Sequence, residues 1–188
     1  MYSKTKSYTQ GLSLVETLVA ITLLLIAVVG PMTIAARSLQ TAIFAKEQTA
    51  AFYLAQEGIE LTIEKRDEEA LREITGGAGS DGDFWDWRPT DCGGPAGPAN
   101  ACGLDAQLAV RDCSTPGRCT LRHDTSVNPQ FRHAGSAEFT PYTREITIDM
   151  STANIAEVTS VVTWNSPLFG ITRDVTAKTF IYNVYDGF

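Results

Sequence analysis

The chain has only two histidines, His123 and His133, and no pair of cysteines at CxxC spacing. Zinc centres are usually built on such short spacings, so a zinc site drawing on these residues is the weaker reading and no metal or cofactor is expected. No GxGxxG or GxxxxGK[ST] run follows a strand-like segment, which removes the two common phosphate-cradling loops and, with them, the most direct signs of an enzyme. Basic charge is scarce as well. Fifteen Lys and Arg stand against twenty-two Asp and Glu, for a net charge of −7. Tight binding to a nucleic-acid backbone rests on a basic surface, so no specific nucleic-acid binding is predicted. Two absences are local: Met1 to Gly11 carries Lys4 and Lys6 but no acid, and Thr17 to Ala36 carries no charge at all.

The uncharged run sets the organisation of the chain. At ~1.5 Å per helical residue it reaches ~30 Å, the thickness of a hydrocarbon layer. A secretory signal places its small-residue cleavage site after an apolar core of ~7–15 residues. Here the candidate scissile bond, Gly11-Leu12, comes before the core. The basic, acid-free leader predicts a cytoplasmic N-terminus, with the remaining chain outside. Glu16 stands at the entrance of the run, where a carboxylate is expensive and asks for a purpose. A plain single-pass anchor would leave Gly11 and Glu16 unexplained together.

Basic leader, Gly11 before the cut, apolar Leu12 as first mature residue and Glu16 at mature position five together resemble the prepilin signature of type IV pilins and pseudopilins. The resemblance covers about the first forty residues. It implies leader removal between Gly11 and Leu12 by a prepilin peptidase, N-methylation at Leu12, and a pairing of Glu16 with the terminal amine of a neighbouring subunit during assembly. It divides the chain into a leader (1–11), a transmembrane or filament-core helix (12–36) and an exported globular domain (37–188). The partners implied are the peptidase, other pilin or pseudopilin subunits, the membrane platform of the assembly machine and the lipid bilayer. The implied location is single-pass in the cytoplasmic membrane, then a periplasmic or cell-surface filament. The function expected is that of a structural subunit, a minor pilin or pseudopilin. A membrane-anchored adhesin that does not polymerise is the alternative, and an anchored enzyme a third.

Residues 13 to about 74 read as one helix, with Gly30 and Pro31 predicting a kink or a locally extended stretch. Beyond Arg37, Ala51, Leu54, Ala55, Gly58, Leu61 and Thr62 recur at helical spacing and form one small-residue and aliphatic face. Glu68 and Arg72 stand at i,i+4, and Gly76-Gly77 should end the helix. Glycine and proline make residues 76 to about 105 a loop. Within it Phe84-Trp85-Asp86-Trp87 reads either as an aromatic cap over the core or as a surface-binding patch through Trp85 and Trp87. Asp81, Asp83 and Asp86 could offer oxygens to calcium, without the ligand set of an EF-hand.

Four cysteines, Cys92, Cys102, Cys113 and Cys119, predict two disulfides in an exported domain; of three connectivities the local pairs Cys92–Cys102 and Cys113–Cys119 are preferred. His123 and His133 are expected at exposed loop or strand-end positions. Strand candidates cover 107–112, 119–123, 143–150, 157–164 and 171–185, with 124–142 irregular. Trp164 and Phe180 are expected in the core, and the final strand, apolar on both parities at Ile181 and Tyr182, risks lying at an edge. The fold class is α+β, a long N-terminal helix packed on a C-terminal antiparallel sheet. That is also the pilin-like architecture.

Overall fold

The computed structural model describes residues 13–77, 85, 87–94, 98–124, 130–133, 138–152, 154–166 and 170–184; Gly11, Leu12, Asp81, Asp83 and Asp86 lie outside them. The first element, α1, is a single helix over Leu14–Thr75. Ser13 caps it: its Oγ accepts the Glu16 N–H at 3.2 Å, and its carbonyl accepts the Thr17 N–H. At the other end Gly76, at φ 64°, closes the helix. Its N–H reaches the Glu73 carbonyl and the Gly77 N–H reaches that of Arg72, which is the paired-bond stop that a left-handed glycine permits.

Two expectations about α1 are corrected. The helix carries on through Gly30 and Pro31, so no extended stretch interrupts it. Pro31 removes one backbone bond, to the Ala27 carbonyl, but the ladder continues on both sides of it. Arg72 pairs with Glu69 and Glu73 rather than Glu68, which goes to Lys65.

The chain forms two compact units whose boundary falls inside α1, Met1–Phe44 and Ala45–Phe188. The second holds a seven-stranded, wholly antiparallel sheet. In chain order its strands are β1 (Cys102–Leu104), β2 (Val110–Asp112), β3 (Thr120–Asp124), β4 (Gln130–Arg132), β5 (Glu138–Thr152), β6 (Ile155–Ser166) and β7 (Ile171–Tyr182). The long β5 is the spine. One of its edges pairs with β3 near Thr143 and with β1 at Ile146, and the other pairs with β6 from Tyr142 to Thr152. β2 hangs on β1, β4 on β3 and β7 on β6. The stretch read as irregular, 124–142, thus holds β4 and the start of β5. β2 and β3 bracket the Ser114 to Gly117 turn as expected, but they pair with different strands.

The face of α1 predicted from spacing is the one buried: Ala51, Leu54, Ala55, Gly58, Leu61 and Thr62, with Ala70. It meets the inward parity of the sheet in two apolar clusters. One gathers Leu61, Trp87, Ile146, Ile148, Val158 and Ile181 around the Cys92–Cys102 disulfide. The other gathers Ala51, Leu54, Leu121, Val162 and Trp164. Trp164 is therefore a core residue and Phe180 is not. The β6–β7 register sets Ile181 opposite Ala156 on the inner face and turns Phe180 outward, 55% exposed.

Candidate functional site

In the first unit α1 carries no charge from Thr17 to Ala36 and has no polar face there. Leu14, Val15, Leu18, Ile21, Leu24, Leu25, Met32 and Ile34 are all exposed. It is the one helix among the described residues long and apolar enough to cross a membrane, and nothing in its most apolar window is buried. The three hydroxyls between Thr17 and Ala36 are turned inward on the backbone: Thr17 donates to the Leu14 carbonyl, Thr22 to Val19 and Thr33 to Gly30, each at 2.8 Å. No hydroxyl in the run therefore needs water or a partner to be satisfied. Two charges flank the run, Arg37 directly after Ala36 and Glu16 in the first turn. There a carboxylate is favoured by the unpaired N–H groups of the helix end, and the Ser13-x-x-Glu16 spacing is that of a capping box. This local role was legible in the sequence and is additional to any pairing between subunits.

An apolar rod of this size does not stay in water. Its length and composition suit it to crossing a membrane.

In the second unit, a polar seam separates the two apolar clusters. Each element contributes one residue to it: Gly58 from α1, Arg144 from β5, Ser160 from β6. Arg144 is fully buried. Its Nη1 donates to the Leu54 carbonyl at 3.1 Å and to Glu57 at 2.8 Å, and its Nη2 to the Leu104 carbonyl at 2.7 Å. Burial pulls its guanidinium below the ordinary arginine value while Glu57 and Asp105 hold it charged. Asp105, also buried, accepts the N–H groups of Gln107, Ala109 and His133 and so shapes the turn after β1.

His133 is buried rather than exposed, contrary to the expectation for it. Neither of its ring nitrogens makes a hydrogen bond of good geometry, although backbone groups of Leu104 and Thr120 lie near enough to favour the imidazolium. Burial, and then the Arg144 charge, outweigh them and lower its pKa. His123 is half-buried, its ring 5.3 Å from that of Phe131.

The cysteines form the two local disulfides, Cys92–Cys102 and Cys113–Cys119, with none left free. The first ties the short helical turn Thr90–Cys92 to β1 inside the core, and the second closes the turn before β3. Of the two tryptophans read as a possible surface-binding patch, Trp87 is buried and Trp85 half-buried. Trp87 is 2% exposed, and Trp85 packs against the same cluster with its ring 6.3 Å away, edge to face. They are the aromatic cap. Beside them an open cleft of about 510 Å³ is lined by Lys65, Glu69, Arg72, Arg88 and Asp91. Lys65 and Arg72 both pair with Glu69, and Arg88 donates to the Gly94 and Ile148 carbonyls. These charges hold one another more than they converge on a common point. Among the described residues no group of three or more His, Cys, Asp or Glu could hold a metal ion.

The described site residues predicted from the sequence are divided between the two units, and Trp85, Trp87 and the Cys92–Cys102 disulfide share one cluster in the second. Glu16, Gly30 and Pro31 lie in the first unit, and the disulfides and tryptophans in the second. No protein-family model matches the chain, and neither a characterised protein nor a solved structure is significantly similar to it.

Proposed function

We propose that this chain is a structural subunit, a minor pilin or pseudopilin, of a type IV pilus-like or type II secretion-like filament. Residues 12–36 hold it in the cytoplasmic membrane after leader removal and then enter the filament core. The observation that carries the reading is the uncharged, wholly exposed helical run headed by Glu16, with Gly11-Leu12 just ahead of it. Cleavage there would leave an α-amino group four residues from Glu16, and opposite charges on neighbouring, axially offset helices neutralise each other in an apolar bundle. Leaving either unpaired costs several kcal/mol. The α+β body, a long helix packed on an antiparallel sheet, supports the same reading. The adhesin alternative loses its main support, since Trp87 is buried and Trp85 packs on the core.

The test is to express the full chain in a bacterium with and without a prepilin peptidase and to read the mature N-terminus by mass spectrometry. Cleavage between Gly11 and Leu12, dependent on the peptidase, is expected, with recovery of the mature chain in sheared filaments when the assembly genes are present. Glu16→Val should leave cleavage intact and abolish that recovery. A chain that keeps Met1, or is cut after residue 30, overturns the proposal.

A further inference from the structure

At one edge of the sheet, β7 pairs with β6 alone, and among the described residues nothing pairs with its other side. The edge is twelve residues long, roughly twice the common strand length. It contains no proline, and the β6–β7 register runs without a bulge from Ile155↔Tyr182 to Ser166↔Ile171. Proline and bulges are two of the devices that usually blunt such an edge; the third is charge. Charge is present here in both signs. Asp174 and Lys178 lie on the outward parity, either side of Thr176, and all three are exposed.

That arrangement is self-complementary. Two β7 strands aligned antiparallel about Thr176 place Asp174 of each opposite Lys178 of the other, Ile171 opposite Ile181 and Val175 opposite Ala177. Every pair falls on a matching face. An equally long alignment that also keeps the faces matched is centred on Ala177, and it sets Asp174 against Phe180 and Arg173 against Ile181. Opposite charges facing across strands stabilise a pair, and a charge facing an apolar residue does not. The charges therefore select one register rather than block pairing.

We infer that the outer edge of β7 is a self-association surface, which joins a second copy of this chain by antiparallel strand addition about a two-fold axis at Thr176. The join is isologous, so it closes at two copies. Backbone hydrogen bonds along the edge supply the attraction, and the Asp174–Lys178 pairs supply the register. Lys178 also pairs with Glu157 of the neighbouring β6 at 2.6 Å, on the outward face of the sheet. The inference uses no residue of the apolar run, so it stands or falls apart from leader cleavage and filament assembly.

The test is thiol cross-linking of the full chain in detergent micelles with a short bis-maleimide. Thr176→Cys should give a covalent dimer. Asp174→Cys and Lys178→Cys should link to each other when differently tagged chains are mixed, and less to themselves. Thr163→Cys, on the outward parity of β6, should stay monomeric. Lys178→Asp in the Thr176→Cys background should cut the linked fraction roughly tenfold at low salt. Exchanging the two charges, with Asp174→Lys added, should restore most of it. No dimer at Thr176→Cys overturns the inference, as does a dimer equally strong at Thr163→Cys. Linkage of Thr176→Cys to a different protein alone assigns the edge to another partner and overturns it as well.

Discussion

Gly58→Ala should destabilise the body of this protein, although the same change in an exposed helix would stabilise it. Gly costs about 0.8–1 kcal/mol relative to Ala inside a helix, so propensity alone favours the substitution. Position 58, however, is where α1 meets the sheet. A Cβ there would stand 2.5 Å from Ser160 Oγ, 3.0 Å from Arg144 Cδ and 3.4 Å from Ile146 Cδ1. Arg144 is held by three hydrogen bonds and cannot withdraw freely. Overpacking of this kind costs ~1–3 kcal/mol, which leaves a net loss of about 1 kcal/mol once propensity is subtracted. For a chain of this length that lowers the melting temperature by ~2–4 °C. Ser160 Oγ is buried without a hydrogen-bond partner, so Ser160→Ala alone should be close to neutral. The double variant should recover most of the loss. Thermal unfolding followed by near-ultraviolet circular dichroism checks both. A Gly58→Ala chain as stable as the parent, or one that Ser160→Ala does not rescue, refutes the close-contact argument.

Arg144→Met keeps most of the side-chain volume but strands the Leu104 carbonyl and removes the cation beside buried Asp105. Urea unfolding should register a loss of about 3 kcal/mol, the lower end for breaking a buried pair, because the Glu57 side chain is 32% exposed and can regain water. His133 predicts an acid-side loss of stability. Its folded pKa is lowered from the ordinary 6.5, by burial first and the Arg144 charge second. The unfolded chain therefore binds the proton first, and the stability at stake is fully present above 6.5 and lost as the pH falls through the folded value. Melting temperatures of the parent and of His133→Gln, measured from pH 8 downward, should diverge in slope below 6.5, with the variant flatter. Parallel profiles would show that His133 is not the group responsible.

The long helix, its buried face and its glycine stop were legible because a 3.6-residue period with small side chains at each repeat has one structural meaning. Of the three long strands, β5 was legible from its two-residue period, and β6 and β7 from their β-branched and aromatic runs. What escaped was whatever depended on partners distant in sequence. In the run from Tyr142 to Met150, position 144 lies on the inward parity, yet arginine reads as solvated there. Only the approach of α1 and of the end of β1 supplies the acceptors that let it be buried. His133 escaped because β4 is three residues long and no periodicity emerges from so short a strand. Phe180 was misplaced because its strand is apolar on both parities, and only pairing with β6 decides which side faces in. Of the candidate functional residues, Glu16 stood out because its meaning is local, a charge beside an uncharged run.

The polar seam also explains how α1 finds its place on the sheet. Apolar clusters on either side of Gly58 are tolerant of sliding, since one aliphatic side chain packs much like another. The seam is not. A one-turn slip in either direction would bring Leu54 or Thr62 to the position of Gly58, against Ser160 Oγ and the stem of Arg144. It would also pull the Leu54 carbonyl and Glu57 away from the guanidinium and leave a charge buried without its partners. Compared with an apolar set that replaced the arginine and its partners together, the buried arginine adds little net stability, because its desolvation offsets most of what its bonds contribute. Its effect is on register: the alternatives to the native alignment each combine a steric overlap with an unpaired charge. The same fixed alignment holds Glu47 under Trp164 Nε1 and Tyr142 Oη, at 3.3 Å each through its side chain and its carbonyl, so the first turns of the second unit are pinned to β5 and β6.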